Sequence, residues 1–348
     1  MRSFVSIGLF IVVGLLAALA TGFRSDLFTQ LGYDQEQEKL QQRIIIKFSH
    51  VVAENTPKGL AAAKFSSLVN EKTGGKVEVQ VFPNGILHSD ETEIPALQRG
   101  DIQMIAPAFS KLSNLIPAWL ALDLPYVFLD QQDVERAFRG EIGEMLFQTL
   151  EPHNMKGLAL WSNGFKQMTS NKPIRTLEDF AGQRFRIMRS HVLETQFQAL
   201  NAKAVPIPFN ETYSQLEKGV IDGGENTISN IYTKRLYQVQ KYMTTSNHGY
   251  LGYAVIVNQD FWNKLPTDIQ DKILEAMKET TEWNYDQAAA MNEQQLKLLK
   301  ENSRLQIYEL APEERTVWKQ ALYPIYDQYT PVIGEEIVSK LKQLQEQR

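Results

Sequence analysis

Residues 44–49 read Ile-Ile-Ile-Lys-Phe-Ser, an apolar strand that opens the pattern on which the fold depends. A helix follows it, and residues 77–81 then alternate as Val-Glu-Val-Gln-Val, which is typical of a strand. Asp90 and Glu93 suit a capping box at the start of a second helix. Residues 102–106 are a short third strand. This alternation predicts βαβ units, in which a largely parallel sheet is covered by helices.

The same alternation returns in the second half of the chain. Residues 184–189 read Arg-Phe-Arg-Ile-Met-Arg and follow a turn signal, Ala-Gly. Further along, a strand is predicted at 204–207, a helix from Asn210 as its N-cap to Lys218, and a strand at 220–221. The chain therefore has a second α/β region after the first.

A weak internal echo relates the two regions. Residues 97–103 and 216–222 both read as a helix end, a glycine and a strand that leads to a polar patch. The echo indicates two similar lobes, although helix-to-strand turns also resemble one another by chance. With two lobes, a ligand is expected between them, outside the carboxyl ends of the strands.

The later part of the chain is helical. Residues 267–302 contain neither proline nor glycine, and this length exceeds that of most globular helices. The apolar positions hold no strict heptad, so a helix that bridges the two lobes fits better than a coiled coil. Residues 313–345 are predicted as helix with interruptions at Pro324 and Pro331.

The N-terminus has the pattern of a targeting segment. Arg2 precedes an uncharged apolar run, and residues 18–20 read Ala-Leu-Ala, which fits a small-x-small cleavage site. Residues 1–20 are therefore predicted to be a signal peptide, followed by a polar spacer over 21–43. The alternative is an uncleaved anchor, because the apolar run is just long enough to span a bilayer.

Composition limits the functions that this chain can have. The net charge of −5 argues against nucleic acid as a partner, because phosphate binding needs a basic face. The chain has no cysteine, so disulfides, iron–sulfur clusters and thiolate zinc sites are excluded. The five histidines lack metal-ligand spacing, and no catalytic motif is present. We therefore expect a binding protein without metal, cofactor or enzymatic activity.

The arginine-rich strand is the strongest local signal for a site. Its alternation places two apolar residues on one face and Arg184, Arg186 and Met188 on the other. A strand inside an α/β domain is usually apolar on both faces. Either this is an edge strand with solvated arginines, or a guanidinium lies in a cleft and grips a carboxylate, whose two oxygens match its planar fork.

Other polar or aromatic residues collect where predicted strands end. Cations, amides and one aromatic at successive strand ends together predict an anion pocket. These residues are His50, Ser110, Lys111, Lys166, Phe209, Asn226 and His248. Asp222 and Glu225 could form a carboxylate pair, but in a loop they are more simply helix caps or salt-bridge partners.

From about Ile44 to the C-terminus, the chain resembles the solute-binding proteins of TRAP transporters, in particular their C4-dicarboxylate-binding branch. Seven segments in order carry the resemblance. They are residues 47–51 with 56–59, 106–111, 124–126, 163–167, 177–188, 208–209 with Tyr213, and 222–226.

The resemblance implies a two-lobed periplasmic binding protein fold of the α/β class, with mostly parallel sheets, hinge strands and a long helix that spans both lobes. Chain order then implies a first lobe of 44–163 plus 252–291. The second lobe is 164–251 plus 292–345.

The resemblance also implies roles for single residues. Arg186 corresponds to the arginine that grips the ligand carboxylate, and Met188 follows it on the same face. Asn226 and Phe209 correspond to an asparagine and an aromatic that contact the ligand. Lys166 stands where related proteins carry a second cation, arginine in the sialic-acid branch, and its lysine indicates a smaller diacid. His50, Ser110 and His248 are carried over as further pocket residues.

The implied function is that of a periplasmic receptor, expected to act as a monomer. It would bind a small C4 dicarboxylate (succinate, malate or fumarate) and deliver it to the membrane permease subunits of a TRAP transporter. One alternative is a receptor for a monocarboxylate or keto acid. A remote alternative is an exported enzyme with Asp222 or Glu225 as a base. Two departures from the family pattern are the spacer over 21–43 and Ala108, where a serine is expected.

Overall fold

The structure is a computed structural model that describes residues 12–13 and 43–346. Apart from Val12, Val13 and Arg43, the predicted signal peptide and spacer lie outside the described residues. The sheet and its helices belong to a compact unit, Ile45–Arg348. None of the helices within the described residues combines the length and the apolar character needed to cross a bilayer.

Nine strands of the described residues form one sheet. The strands are β1 Ile44–Ser49, β2 Val77–Phe82, β3 Met104–Ile105, β4 Met155–Ser170, β5 Arg184–Ile187, β6 Lys203–Pro206, β7 Gly223–Thr227, β8 Tyr242–Asn258 and β9 Gln306–Glu309. Their spatial order is β2-β1-β3-β8-β4-β7-β5-β6, and β9 pairs with β8.

Helices connect and cover these strands. They are α1 Pro57–Lys72, α2 Glu93–Arg99, α3 Phe109–Leu112, α4 Gln131–Arg139, α5 Glu141–Gln148, α6 His191–Ala199, α7 Thr212–Glu217, α8 Ile228–Thr233, α9 Gln259–Asn263, α10 Thr267–Asn302, α11 Pro312–Leu322, α12 Pro324–Ile333 and α13 Glu335–Glu346. Pro331 lies inside α12, and the break predicted there falls instead between α12 and α13.

The sheet is mixed, and its centre differs from its two ends. Strands β1 and β3 are parallel, as are β5 with β6 and β5 with β7. The long strands β4 and β8 pair antiparallel from Met155 opposite Asn258 to Ser170 opposite Tyr242, with three register shifts on the way. They join the first half of the sheet (β1–β3) to the second half (β5–β7), so the parallel βαβ pattern holds only outside this central ribbon.

Helix α10 has the bounds that the sequence predicts, and it crosses both halves. It packs against α1 of the first half, against β4, and against α8 of the second half. Asn292 fixes the crossing point, because its Nδ2 donates to the Asn163 carbonyl at 2.7 Å and its Oδ1 accepts from the Ser229 N–H at 2.9 Å.

Each half of the sheet has its own aromatic core. In the first half, Phe48 contacts Phe65 and Trp161 at ring-centroid distances of 6.3 and 6.0 Å. In the second half, Phe185 stacks on Phe197 with centroids 5.1 Å apart. The predicted alternation of β5 is confirmed, since Phe185 and Ile187 are both fully buried on one face.

Two predicted elements in the second half are wrong. The strand predicted at 220–221 begins only at Gly223, because the Val220 N–H is used to close the end of α7 on the Gln215 carbonyl. Asn210 is not an N-cap, since Phe209–Glu211 form a 3₁₀ turn and α7 starts after it.

Candidate ligand-binding site

A cavity receives side chains from both halves of the sheet. The first half contributes residues near α2 and α3, the central ribbon contributes residues of β4 and β8, and the second half contributes residues of β5 and β7. Six of the lining residues have acidic or basic side chains, and all six are buried. They are Asp90, Glu93, Lys111, Lys166, Arg186 and Glu225. Burying a charge is costly unless it is paired, so the partners of these six residues decide what the cavity can bind.

Arg186 of β5 is held in place but not neutralised. Its Nε donates to the carbonyl of Ile207 at 2.9 Å, while its buried Nη2 has no hydrogen-bond partner among the described residues. Burial lowers the pKa of Arg186, and the nearby carboxylates of Asp90 and Glu225 act in the opposite direction. Arginine stays charged in proteins, so the cavity wall carries a fixed cation with a free donor.

Lys166 of β4 is paired inside the protein. Its Nζ lies 2.8 Å from Oε1 of Glu225 on the neighbouring strand β7. Burial alone would raise the pKa of Glu225, but the Lys166 ammonium and a hydrogen bond from His248 outweigh it and hold the pKa at about 2. Lys166 therefore lines the cavity with its charge already matched.

His248 lies behind Glu225 and is not part of the cavity wall. Its Nε2 is 2.8 Å from Oε2 of Glu225, and its Nδ1 is 2.7 Å from Oγ of Ser246. Burial lowers the pKa of His248, so the ring is neutral. The ionised Glu225 can only accept, so the single ring proton is on Nε2 and Ser246 donates to Nδ1. His248 positions Glu225.

Lys111 of α3 also forms an ion pair inside the protein. Its Nζ lies 2.9 Å from Oδ2 of Asp90. The six acidic and basic lining residues thus contain two internal ion pairs, Lys111–Asp90 and Lys166–Glu225. Within the described part of the chain, Arg186 and Glu93 form no ion pair.

Asn226, at the end of β7, offers a donor to the cavity. Its Oδ1 accepts from the backbone N–H of Thr227 at 3.0 Å and from Nδ2 of Asn230 at 2.8 Å. Because a backbone N–H can only donate, the accepting atom must be the oxygen, and the amide nitrogen of Asn226 is left for a ligand.

Two apolar side chains complete the wall near Arg186. Phe209 and Met188 are both buried and both line the cavity. The Phe209 ring centroid lies 5.9 Å from the guanidinium carbon of Arg186. The site therefore combines one unpaired cation, one amide donor and an apolar surface, which suits a small organic anion.

His50 and Ser110 lie next to the cavity rather than in its wall. Burial and the neighbouring Lys58 lower the pKa of His50 to about 3, so it is a neutral core side chain that packs edge-on against Phe48. The Ser110 hydroxyl donates to Oδ1 of Asp123 at 2.6 Å. The wall is formed by their chain neighbours, Val51 and Lys111 among them.

The other charged residues considered in the sequence are Arg184, Asp222 and Glu225, and the structure shows the partner of each. Arg184 pairs with Asp222 at 2.8 Å, and 41% of its side chain is exposed. Arg184 is therefore a solvated arginine, as the edge-strand interpretation predicts, and it does not lie in the cleft. Asp222 and Glu225 each bind a different cation and do not form a carboxylate pair.

Glu93 and Tyr253 line the cavity although the sequence did not single them out as site residues. The capping box predicted for Asp90 and Glu93 does not form, because the N-cap of α2 is Thr92 and it makes no side-chain capping bond. The spacing of Glu93 with Ala96 and Leu97 on one buried helix face was the available signal.

Comparison with known proteins agrees with this geometry. The profile of the family described as DctP, bacterial extracellular solute-binding protein, family 7, matches residues 48–331. The chain is 50% identical over 346 residues to the C4-dicarboxylate-binding protein DctB of Bacillus subtilis, covering 99% of both chains.

Solved structures show the same fold. A TRAP periplasmic solute-binding protein of Sulfurospirillum deleyianum with bound succinate superposes with a TM-score of 0.83 at 43% identity, covering 87% of this chain and 99% of that one. One of Pseudomonas aeruginosa with bound L-malate gives a TM-score of 0.80 at 34% identity, covering 82% and 100%. The predicted α/β binding-protein fold is confirmed, and the chain belongs to the DctP family, family 7 of the bacterial extracellular solute-binding proteins.

Proposed function

We propose that this protein is an extracytoplasmic receptor that binds a small C4 dicarboxylate and delivers it to the permease subunits of a TRAP transporter. The observation that carries the proposal is the buried, unpaired guanidinium of Arg186 in the cavity wall. The relative DctB and the succinate and malate bound in similar structures support the ligand class.

The first carboxylate is received by Arg186. The Ile207 carbonyl occupies Nε, so the carboxylate binds the two terminal nitrogens of the guanidinium. The same hydrogen bond orients the side chain before the ligand arrives, which reduces the ordering cost of binding. Asn226 donates from its amide, and Phe209 and Met188 pack against the ligand carbons.

Binding is coupled to closure of two lobes, 44–163 plus 252–291 and 164–251 plus 292–345. Both halves of the sheet contribute to the cavity wall, so the complete site exists only when they are together. The ligand stabilises this closed state in proportion to its differential affinity for closed over open.

The cellular setting follows from the N-terminal pattern and from the family. Residues 1–20 direct export, and the mature receptor acts as a monomer in the periplasm or on the outer face of the cytoplasmic membrane, where an uncleaved leader would anchor it. The permease then accepts the closed, loaded receptor.

A receptor for a monocarboxylate or keto acid is the second candidate. The internal pairing of Lys166 favours it, since only one lining cation is left for a ligand. A thermal-shift and calorimetry panel on the protein decides between the two. We expect stabilisation by succinate, malate or fumarate and little by pyruvate or lactate. Stabilisation by pyruvate or lactate without any effect of the diacids would overturn the dicarboxylate assignment.

A further inference from the structure

The charged residues in the cavity wall do not provide a binding partner for the second carboxylate of a diacid. Two of the three lining cations are paired with Asp90 and Glu225, and only Arg186 has charge to offer. A dianion that enters this site needs a neutral donor for its second carboxylate, because an unpaired buried carboxylate is costly.

Glu93 has the geometry of such a donor. It belongs to the first turn of α2, is fully buried, and lines the same cavity as Arg186 from the other half of the sheet. Both of its carboxyl oxygens are buried and have no hydrogen-bond partner among the described residues.

The groups that face Glu93 do not satisfy it. Lys58 of α1 donates to the Ala106 carbonyl at 2.9 Å and lies 3.8 Å from the ring centroid of Tyr253 on β8. Asp90, in the loop before α2, and Lys111 of α3 bind each other.

Burial raises the pKa of Glu93 to about 8, Lys58 and Lys111 oppose the rise, and Asp90 adds to it. An acid in this setting is neutral at pH 7, and a neutral carboxyl group can donate.

We propose that Glu93 is a specificity-determining residue that stays protonated in the complex and donates a hydrogen bond to the second carboxylate of the bound diacid. This role rests on the proposed dicarboxylate function. A monocarboxylate presents no acceptor at this position and would leave the Glu93 hydroxyl unsatisfied. Selection of a diacid therefore comes from an acid in the wall and not from a second cation.

Calorimetric titration of succinate from about pH 6 to about pH 9 tests this role, because the range brackets the raised pKa. For the wild type, we expect Kd to rise about tenfold per pH unit above about pH 8, where binding must take up one proton. Glu93→Gln keeps an N–H donor but does not titrate, so its Kd should stay within about threefold across the range.

Lys58 is the competing explanation, since burial lowers its pKa to about 8 as well. Lys58 remains in the Glu93→Gln variant, so a slope that survives there belongs to Lys58 and contradicts the proposal. Infrared difference spectra of the wild type with isotopically labelled succinate give a test that needs no variant. We expect the C=O band of a protein carboxylic acid to shift on binding.

Failure of the proposed Glu93 role and failure of the proposed function would give different results. Wild-type protein that binds succinate with the same affinity at every pH, and with no shift of a carboxylic acid band, overturns the role of Glu93 alone. Wild-type protein that binds no dicarboxylate at any pH overturns the proposed function, and the role of Glu93 with it.

Discussion

The ammonium nitrogen of Lys166 lies 2.8 Å from Oε1 of Glu225, and both side chains are almost completely buried. The pair joins adjacent strands of the sheet, β4 and β7. Such a pair contributes little against an apolar replacement, but removal of one partner leaves an uncompensated charge. Its main effect is to fix the charge of this part of the cavity wall, and the proposed selection of the ligand by Arg186, Asn226 and Glu93 rests on that fixed charge.

Low pH should remove the stabilisation that ionised Glu225 gives the fold through its pair with Lys166. The folded pKa of Glu225, about 2, is below its ordinary value of 4.5, so the ionised carboxylate stabilises the fold above about pH 4.5. That stabilisation, on the order of 3 kcal/mol, is lost as the pH falls towards 2. We expect Glu225→Gln to be markedly less stable than the wild type at pH 7, with a difference that narrows in acid. Urea unfolding at several pH values measures it.

The control for this experiment is Asp222→Asn, which removes a partly exposed carboxylate from its pair with Arg184. Its effect should be small at every pH, since exposed ion pairs contribute little. A stability difference for Glu225→Gln that stays constant from neutral to acid pH would contradict the ionised state of Glu225.

Arg186 and Arg184 form a matched pair of variants on one strand. Arg186→Ala should weaken succinate binding by about two to four decades, because the loss of a buried charged partner costs about 3–5 kcal/mol. Arg186→Lys should recover only part of this, since an ammonium lacks the planar fork. Arg184→Ala should leave Kd within about threefold. Equal effects at the two positions, measured by calorimetry, would argue against a carboxylate grip at Arg186.

Asn226→Asp tests whether the amide nitrogen of Asn226 donates a hydrogen bond to the ligand. The carboxylate can still accept from Thr227 and Asn230, so the hydrogen bonds that orient this side chain are kept. It cannot donate to the ligand, and its charge repels a carboxylate, so affinity for a diacid should fall by at least about tenfold. Unchanged affinity would show that the Asn226 amide nitrogen does not face the ligand.

Ser110→Ala should lower the stability of the protein without changing its affinity for the ligand. The variant removes the donor to the buried Asp123 and should lower the free energy of unfolding by about 1–3 kcal/mol. Because Ser110 does not line the cavity, Kd for succinate should stay within about threefold. A large loss of affinity without loss of stability would place Ser110 in contact with the ligand after all.

Two adjacent glycines of β7 should respond differently to alanine. A Cβ on Gly223 would lie 2.3 Å from the Thr169 carbonyl oxygen, whereas a Cβ on Gly224 would lie 3.5 Å from its nearest neighbours, atoms of Arg186. Gly223→Ala should therefore cost about 3 kcal/mol or more, and Gly224→Ala about 1 kcal/mol or less. Chemical denaturation of both variants measures the difference, and similar values would mean that β7 shifts to accommodate the methyl group.

Local patterns predicted the fold well where one segment determines its own structure. The bounds of α10 follow from a long stretch without proline or glycine, and the two faces of β5 follow from its alternation. The central ribbon is longer than its apolar pattern indicates, since the apolar runs at 157–161 and 253–257 cover only part of β4 and β8. Polar residues such as Lys166 interrupt the apolar pattern there because they face the cavity.

The pairing of charges could not be predicted in the same way. Arg186, Lys166, Asn226, Phe209 and Met188 are all found in the cavity wall. Whether a cation is free depends on a partner that is distant in sequence, and Glu225 reaches Lys166 only through the pairing of β4 with β7. In the same way, helix spacing indicates that Glu93 is buried, but the lack of a hydrogen-bond donor for its carboxyl oxygens among the described residues depends on the assembled helices and strands.

Asn292 ties the crossing helix to the ribbon where β4 is itself irregular. Gly164 follows Asn163 with φ of +122° at a register shift, and a Cβ there would lie 2.8 Å from Nδ2 of Asn292. Asn292 binds β4 through the Asn163 carbonyl and α8 through the Ser229 N–H, so a rocking motion of the two halves would turn about this junction. Under the proposed function, this fixed junction would return the loaded protein to the same closed conformation each time, and a permease would then have a single conformation to recognise.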